Sequence, residues 1–237
     1  MIGGRRVLCV IPARGGSKSV RGKNTRLLRG KPLVVYTIEQ ALESLVVDRV
    51  IVSTDSREIA ETARVAGAEV PFVRPAQLAT DAAGTIDVVL HAMDWVCKDE
   101  GSPYDIVLLL HATAPLRSVD DIDAAIELLD ESADNVISVT EAYRNPYFNM
   151  VEEAPDGSVH LVKAGAFFTR QSAPAVFDMN SSIYAWWWDA LVSSRSVFPG
   201  RTLAYVMPRE RSVDIDEETD FILAEALLGR DAKTRNI

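Results

Sequence analysis

Residues 10–24 read VIPARGGSKSVRGKN, with Arg14, Lys18, Arg21 and Lys23 crowded around Gly15 and Gly16. Glycine lets backbone N–H groups come close to an anion, and lysine and arginine add charge-assisted hydrogen bonds. Arg14, Lys18 and Lys23 are the candidates for that role, and the chemistry suits a polyphosphate. The stretch matches neither GxxxxGK[ST] nor GxGxxG. A solvated basic turn is the plain alternative. The charge distribution argues against it: residues 1–38 hold no Asp or Glu and nine of the 25 Lys and Arg, while the other 199 residues carry 16 basic against 34 acidic side chains. Lys23 is expected in a solvent-facing loop, where Lys23→Ala would leave the fold intact.

A second group stands near the other end, in VDIDEETDF at residues 213–221. Side chains alternate along an extended segment, so Asp214 and Asp216 are expected to point the same way. Two carboxylates beside a phosphate site suit Mg²⁺, which takes one or two of them and completes its shell with phosphate oxygens and water. Asp216 as the cap of the following helix is the alternative.

These groups need a frame. Residues 6–11 and 49–53 read as strands, and DIVLLL at 105–110 as a central strand buried on both faces. Helices are expected over 36–46, with Ile38, Ala41, Leu42 and Leu45 inward, after Asp55 or Ser56 up to Gly67, and over 84–97. Ser118 with Asp121 begins another, and residues 135–139 form the next strand. This alternation predicts a mostly parallel sheet covered by helices on both faces. After Glu141 the pattern breaks, and residues 141–200 read as an insertion with EEAPDGS at a hairpin tip. Tyr184–Trp188 (YAWWW) is either core or an oligomer interface. A strand over 203–207 and a helix over 217–228, ended by Gly229, close the pattern; Lys233 onward is expected to fray.

A net charge of −9 speaks against a nonspecific nucleic-acid binder. No run approaches the ~20 apolar residues of a membrane helix, and the first apolar run is too short for a signal peptide. Cys9 and Cys97 read as buried thiols, which suits a reducing cytoplasm. No GxSxG nucleophile motif is present. His91 and His160 read as structural.

In order and spacing, IPARGGSK, GKN, VSTDS, FVRPAQLATD, TAPLR, NSSIYAWW and VDIDEETDF resemble the CMP-sialic acid synthetases, or acylneuraminate cytidylyltransferases. The likeness spans about residues 7–227. The related CMP-Kdo synthetases share the IPAR start and usually lack GGSK…KN, which places this chain on the nonulosonate side. The resemblance implies a three-layer α/β/α Rossmann-like nucleotidyltransferase fold over residues 1–237, with 141–200 as a dimerisation insertion, in a cytoplasmic homodimer. It implies attack of the anomeric hydroxyl of a sialic-acid-like sugar on the α-phosphorus of CTP, with Mg²⁺ and release of pyrophosphate.

On matching positions, the resemblance implies that Arg14, Ser17 and Lys23 hold the CTP phosphates, with Lys18 beside them and Lys23 nearest the reacting phosphorus. Asn24 contacts the nucleotide, and Arg74 and Thr85 lie at the base or ribose. Asp214 and Asp216 bind Mg²⁺, and Asp216 or a metal-bound water accepts the sugar's proton. Arg170 and Tyr184 face the sugar, and Phe198 belongs to the pocket of the partner subunit. The family commonly reads QPTSPLR where this chain reads HATAPLR, so His111 replaces a sugar-contacting Gln. A strand-end histidine satisfied by backbone is the alternative there. An eight-carbon Kdo-type acid is the alternative substrate, and a nucleotide-binding module without catalysis is the alternative class.

Overall fold

The apolar run after Asp105 becomes the buried middle of a mixed sheet. The computed structural model describes residues 4–17, 19–101, 104–165, 167 and 169–234, with main chain only at Arg170 and 231–234. The first half forms β1 (Val7–Pro12), a short pair β2 (Leu27–Leu28) and β3 (Lys31–Pro32), α1 (Leu33–Glu43), β4 (Arg49–Ser53), α2 (Arg57–Val65), α3 (Thr85–Glu100) and β5 (Ile106–Leu110). The second half forms α4 (Val119–Glu127), β6 (Asn135–Glu141), β7 (Val151–Glu153), β8 (Val159–Leu161), β9 (Phe177–Trp187), α5 (Trp188–Ser194), β10 (Thr202–Val206) and α6 (Glu218–Thr234).

Six strands line up as β10-β6-β9-β5-β1-β4. β1 pairs in parallel with β4 and β5, and β10 with β6; β9 alone runs antiparallel, between β5 and β6. Alternation along β1 sends Val7, Cys9 and Ile11 to one face, against α1, α2 and α4, and Leu8 and Val10 to the other, against α3 and α5. The result is the three-layer α/β/α arrangement expected. Each fully buried Leu or Ile of β5 contributes roughly 1.5–3 kcal/mol of burial. A third cluster (Val20, Leu28, Leu33, Ile215, Phe221 and Ala224) packs α6 beneath the loop that follows β1.

Local signals were realised closely. Ser56 caps α2 by accepting from the Ile59 N–H, and Ser118 with Asp121 forms a reciprocal capping box on α4. Three expectations need correction. Residues 177–187 of the supposed insertion are a central strand; the segment outside the sheet is 143–176, which carries the β7–β8 hairpin over the EEAPDGS turn. Tyr184, Trp186 and Trp188 are accordingly core. Leu42 and Leu45 are exposed, because α1 ends at Glu43 and its inward face is Leu33, Val34, Thr37, Ile38 and Ala41. The last helix runs through Gly229 to Thr234.

Candidate active site

A cavity of about 400 Å³ opens at the carboxyl ends of β1 and β5, the end of a parallel sheet where ligands bind. Arg14, Ser17, Lys23, Asn24, Arg74, Thr85, His111 and Asp216 all line it. They come from the loop after β1, the loop after α2, the start of α3, the end of β5 and the segment leading into α6. The first turn of α3 at Thr85 adds the positive end of a helix dipole.

The glycines of the loop have different reasons. The Gly15 N–H donates to Asp55 Oδ1 at 2.9 Å, so it is engaged within the fold and not free for an anion as expected. A Cβ at Gly15 would meet Ser56 Cβ at 3.0 Å, so the residue is small to let the cap of α2 approach. Gly16 has open space around it. Asn24 is buried; its Nδ2 donates to the Arg14 carbonyl at 2.9 Å, and its Oδ1 has no hydrogen-bond partner among the described residues. Arg14 pairs with Asp81 at 2.6 Å across the cavity mouth.

Lys23 is not solvent-facing: it is only 8% exposed. Its ammonium donates to the Ile215 carbonyl at 2.5 Å and to Asp216 Oδ1 at 3.1 Å. Ile215 is fully buried in the third cluster, so packing of α6 fixes both the lysine and the carboxylate beside it.

Two more cations are held by neutral oxygens. Arg74 donates to the Ser53 hydroxyl at 3.1 Å and to the Ser53 carbonyl, and burial lowers its pKa to about 10. Arg117 donates to Ser182 O, Thr37 Oγ1, His111 O and Ala114 O, and burial likewise lowers it to about 10. Burial, and then the charge of Arg117, push His111 down to about 4, with Asp216 opposing. Its imidazole is therefore neutral at ordinary pH and offers one donor and one acceptor to the cavity. The carbonyl and N–H of His111 are satisfied by backbone and Arg117, while the ring sits 5.7 Å from that of Tyr184.

Asp216 is exposed in the cavity, whereas Asp214 does not line it and feels the hydroxyls of Thr113 and Ser181. Burial raises the Asp214 carboxyl, Asp216 adds to that, and the two hydroxyls and Lys23 oppose it. Among the described residues its Oδ1 has no hydrogen-bond partner. The two carboxylates are thus electrostatic neighbours without lining one surface.

Other expected residues stand apart. Lys18 lies outside the described residues. Arg170 begins a short 3₁₀ turn, Arg170–Ser172, in the segment outside the sheet. Tyr184 is buried, stacked on Trp186 at 5.8 Å and adjacent to the cavity only through His111. Phe198 is exposed beside the amino end of β6, the far end of the sheet from this chain's own cavity. Sequence reasoning gave no role to Asp81, Thr113 or Arg117, although LATD and TAPLR were the stretches that contain them. Their signal was charge or hydroxyl just beyond a strand or loop.

Comparison with known proteins agrees with this geometry. The family model described as cytidylyltransferase matches residues 8–230. The chain is 42% identical to the post-translational flagellin modification protein B of Campylobacter coli, over 94% of each chain. It is 41% identical to a CMP-N,N'-diacetyllegionaminic acid synthase of Campylobacter jejuni, also over 94% of each. Its fold matches a CMP:2-keto-3-deoxy-manno-octonic acid synthetase solved with CTP, at a TM-score of 0.69 and 18% identity, covering 95% of this chain and 99% of that one. With a cationic cavity at the carboxyl end of the sheet and a family match that spans nearly its whole length, the chain belongs to the cytidylyltransferases.

Proposed function

We propose that the protein transfers CMP from CTP to the anomeric hydroxyl of a sialic-acid-like nonulosonate and releases pyrophosphate. The observation that carries this reading is the convergence of Arg14, Ser17, Lys23 and Asn24 with Arg74, Thr85, His111 and Asp216 around one cavity. The likeness to a synthase of CMP-N,N'-diacetyllegionaminic acid favours an acid of that kind.

Phosphoryl-type transfer is mostly positioning and charge stabilisation, and needs no covalent nucleophile on the enzyme. Lys23 is held rigidly from below by Ile215 O, so its ammonium is oriented before substrate arrives. Arg14 exchanges Asp81 for phosphate oxygens. Arg74 orients the nucleoside from the end of β4, and neutral His111 hydrogen-bonds the sugar. Asp216, exposed in the cavity, or a water held by Mg²⁺ would accept the proton of the attacking hydroxyl.

Mg²⁺ fits the residues present. Among the described residues Asp216 offers an exposed carboxylate in the cavity, Asp214, near enough to feel its charge, has a carboxylate oxygen without a hydrogen-bond partner, and no cluster of three His, Cys, Asp or Glu forms an all-protein cage. One or two carboxylates with phosphates and water is the Mg²⁺ pattern. The ion would neutralise charge on the triphosphate; Asp214 and Asp216 would hold it.

A homodimer completes the reading. Exposed apolar side chains concentrate on 143–179: Tyr143, Phe148, Met150, Val151, Val159, Leu161, Val162, Phe177 and Met179. Such a patch is what a partner subunit covers. The free thiols suit the cytoplasm. No helix among the described residues is long and apolar enough to cross a membrane.

The test is pyrophosphate release with CTP and Mg²⁺, comparing N,N'-diacetyllegionaminate, N-acetylneuraminate, pseudaminate and Kdo. Turnover of a nine-carbon acid is expected. Turnover of Kdo alone, or of none while CTP binds, overturns the reading.

A further inference from the structure

The turn from β5 to α4, residues 111–118, carries His111, Ala112 and Thr113 into the cavity wall. Outside strand and helix its carbonyls need other donors. Gln40 Nε2, from α1, donates to the Pro115 carbonyl at 2.8 Å and to the Arg117 carbonyl at 2.7 Å. The Arg117 guanidinium serves the start of the turn. Its Nη2 donates to the His111 carbonyl, to the Ala114 carbonyl at 2.8 Å and to Thr37 Oγ1 at 2.9 Å, and its Nη1 donates to the Ser182 carbonyl at 2.7 Å. Ser182 lies in a bulge of β9, where the register with β6 shifts between Ile137 and Val139. The same Ser182 carbonyl accepts from the His111 N–H at 3.3 Å. One guanidinium thus ties the end of β5 to β9, to α1 and to its own turn.

Arg117 is 2% exposed, does not line the cavity, and donates to four neutral acceptors. Burying a cation is costly, and an apolar side chain of similar volume often serves stability as well or better. An apolar side chain cannot hold four oxygens on one planar fork, and neither can lysine, whose three donors share one point. The turn is also linked onward. The Thr113 carbonyl accepts the Ile215 N–H at 2.8 Å, the Ile215 carbonyl receives the Lys23 ammonium at 2.5 Å, and Asp216 follows Ile215. A single peptide therefore separates the turn that presents His111 from the groups at Lys23 and Asp216.

We propose that Arg117 is a positioning residue: by clamping residues 111–114 it sets His111 and Thr113 and, through the bond from Thr113 to Ile215, holds Lys23 and Asp216 in register with them. The inference rests on the reading of this cavity as the site of CMP transfer.

The experiment counts CTP-binding sites by calorimetric titration and expresses pyrophosphate release per site, so that loss of folded protein cancels. The acid is the one that the parent turns over best among the four named above. Arg117→Lys and Thr37→Val, which removes one acceptor, are compared with Arg49→Ala, a control at the opposite end of the sheet. Misplacing reacting groups by about 1 Å can cost about 10²-fold, so Arg117→Lys is expected to lose about 10–10²-fold in kcat per site and Thr37→Val about fivefold. The Kd for CTP should stay near parental in both, and Arg49→Ala should melt lower yet keep its rate per site. Parental kcat per site in Arg117→Lys overturns the proposal, whatever its melting temperature. An equal loss per site in Arg49→Ala, or a Kd for CTP that weakens as much as kcat falls, overturns it too. If Arg117→Lys binds no CTP, Thr37→Val decides, and a parental rate per site there overturns the role. A parent that binds CTP but turns over none of the acids overturns the reading of the function, and this role with it.

Discussion

At the amino end of the central sheet Arg49 is surrounded by carboxylates, whereas at the carboxyl end Arg74 and Arg117 are surrounded by neutral oxygens. Arg49 reaches Glu69 at 2.6 Å, Asp99 at 3.7 Å and also Glu100, which Arg6 shares at 2.6 Å. The hydrogen bond to Glu69 holds the Arg49 guanidinium well above the usual arginine value. Arg74 and Arg117 have no ion-pair partner among the described residues, and burial draws both down. Both ends order their arginines, but Arg74 and Arg117 are left without a carboxylate, while Arg14 near them pairs with Asp81. Charge that is fixed by hydroxyls and carbonyls stays available to an anion, and in a low-dielectric cleft it acts strongly.

That contrast can be broken by substitution. The largest effect is expected from Lys23→Ala, a loss of about 10²–10³ in kcat/KM for CTP, the size seen on removing one charge-stabilising donor. Because Lys23 is nearly buried, its melting temperature should fall too. Arg49→Ala should leave kcat/KM within about twofold. Equal losses of turnover from the two ends, in a pyrophosphate-release assay, would erase the distinction.

His111 sharpens it. Its ordinary pKa of 6.5 falls to about 4 through burial and the charge of Arg117, with Asp216 opposing. Between those two values the unfolded chain binds a proton that the folded chain refuses, so stability is lost as pH falls from 6.5 toward 4. The loss by pH 5 is at most about 2 kcal/mol. His111→Gln cannot take up that proton, so its melting temperature should fall less between pH 7 and pH 5. Parallel curves would mean that the carboxyl end does not exclude a further positive charge.

A smaller effect is expected from Asp216→Ala, about tenfold more Mg²⁺ for half-maximal rate at saturating CTP, since phosphates and Asp214 remain. An unchanged Mg²⁺ titration would count against the carboxylate. Smallest is the stability cost of Arg49→Ala, about 1 kcal/mol or 2–4 °C, reduced in high salt because its partners are half exposed. A salt-independent loss would point to packing on Trp95, which Arg49 covers at 5.6 Å.

What the sequence revealed was local or periodic. DIVLLL, the Ser118–Asp121 cap and the basic loop each carry their signal within a few residues. Burial of Lys23 was hidden because it depends on Ile215 and Phe221, nearly two hundred positions away. β9 was hidden because the serines of its bulge interrupt the alternation, and because its Tyr184 and Trp186 read equally well as interface. The nearness of Asp214 and Asp216 was legible from spacing, but that only Asp216 lines the cavity was not, since the lining around it arrives from β1, β5 and α3. Gly15 invited a phosphate reading, whereas the close approach of Ser56 is what requires it.

The insertion of β9 between β5 and β6 bears on how the chain is made. β5 and β6 leave the ribosome well before residues 177–187, and each then presents an unpaired edge to its surroundings. Such edges are prone to aggregate, and long-range pairing is slow. A nascent chain halted at β6 would hold the basic loop after β1 yet lack the strand that seals the sheet. Protection of the sheet is therefore completed late in synthesis by the arrival of one strand, and the cavity later still, when Ile215 and Asp216 follow.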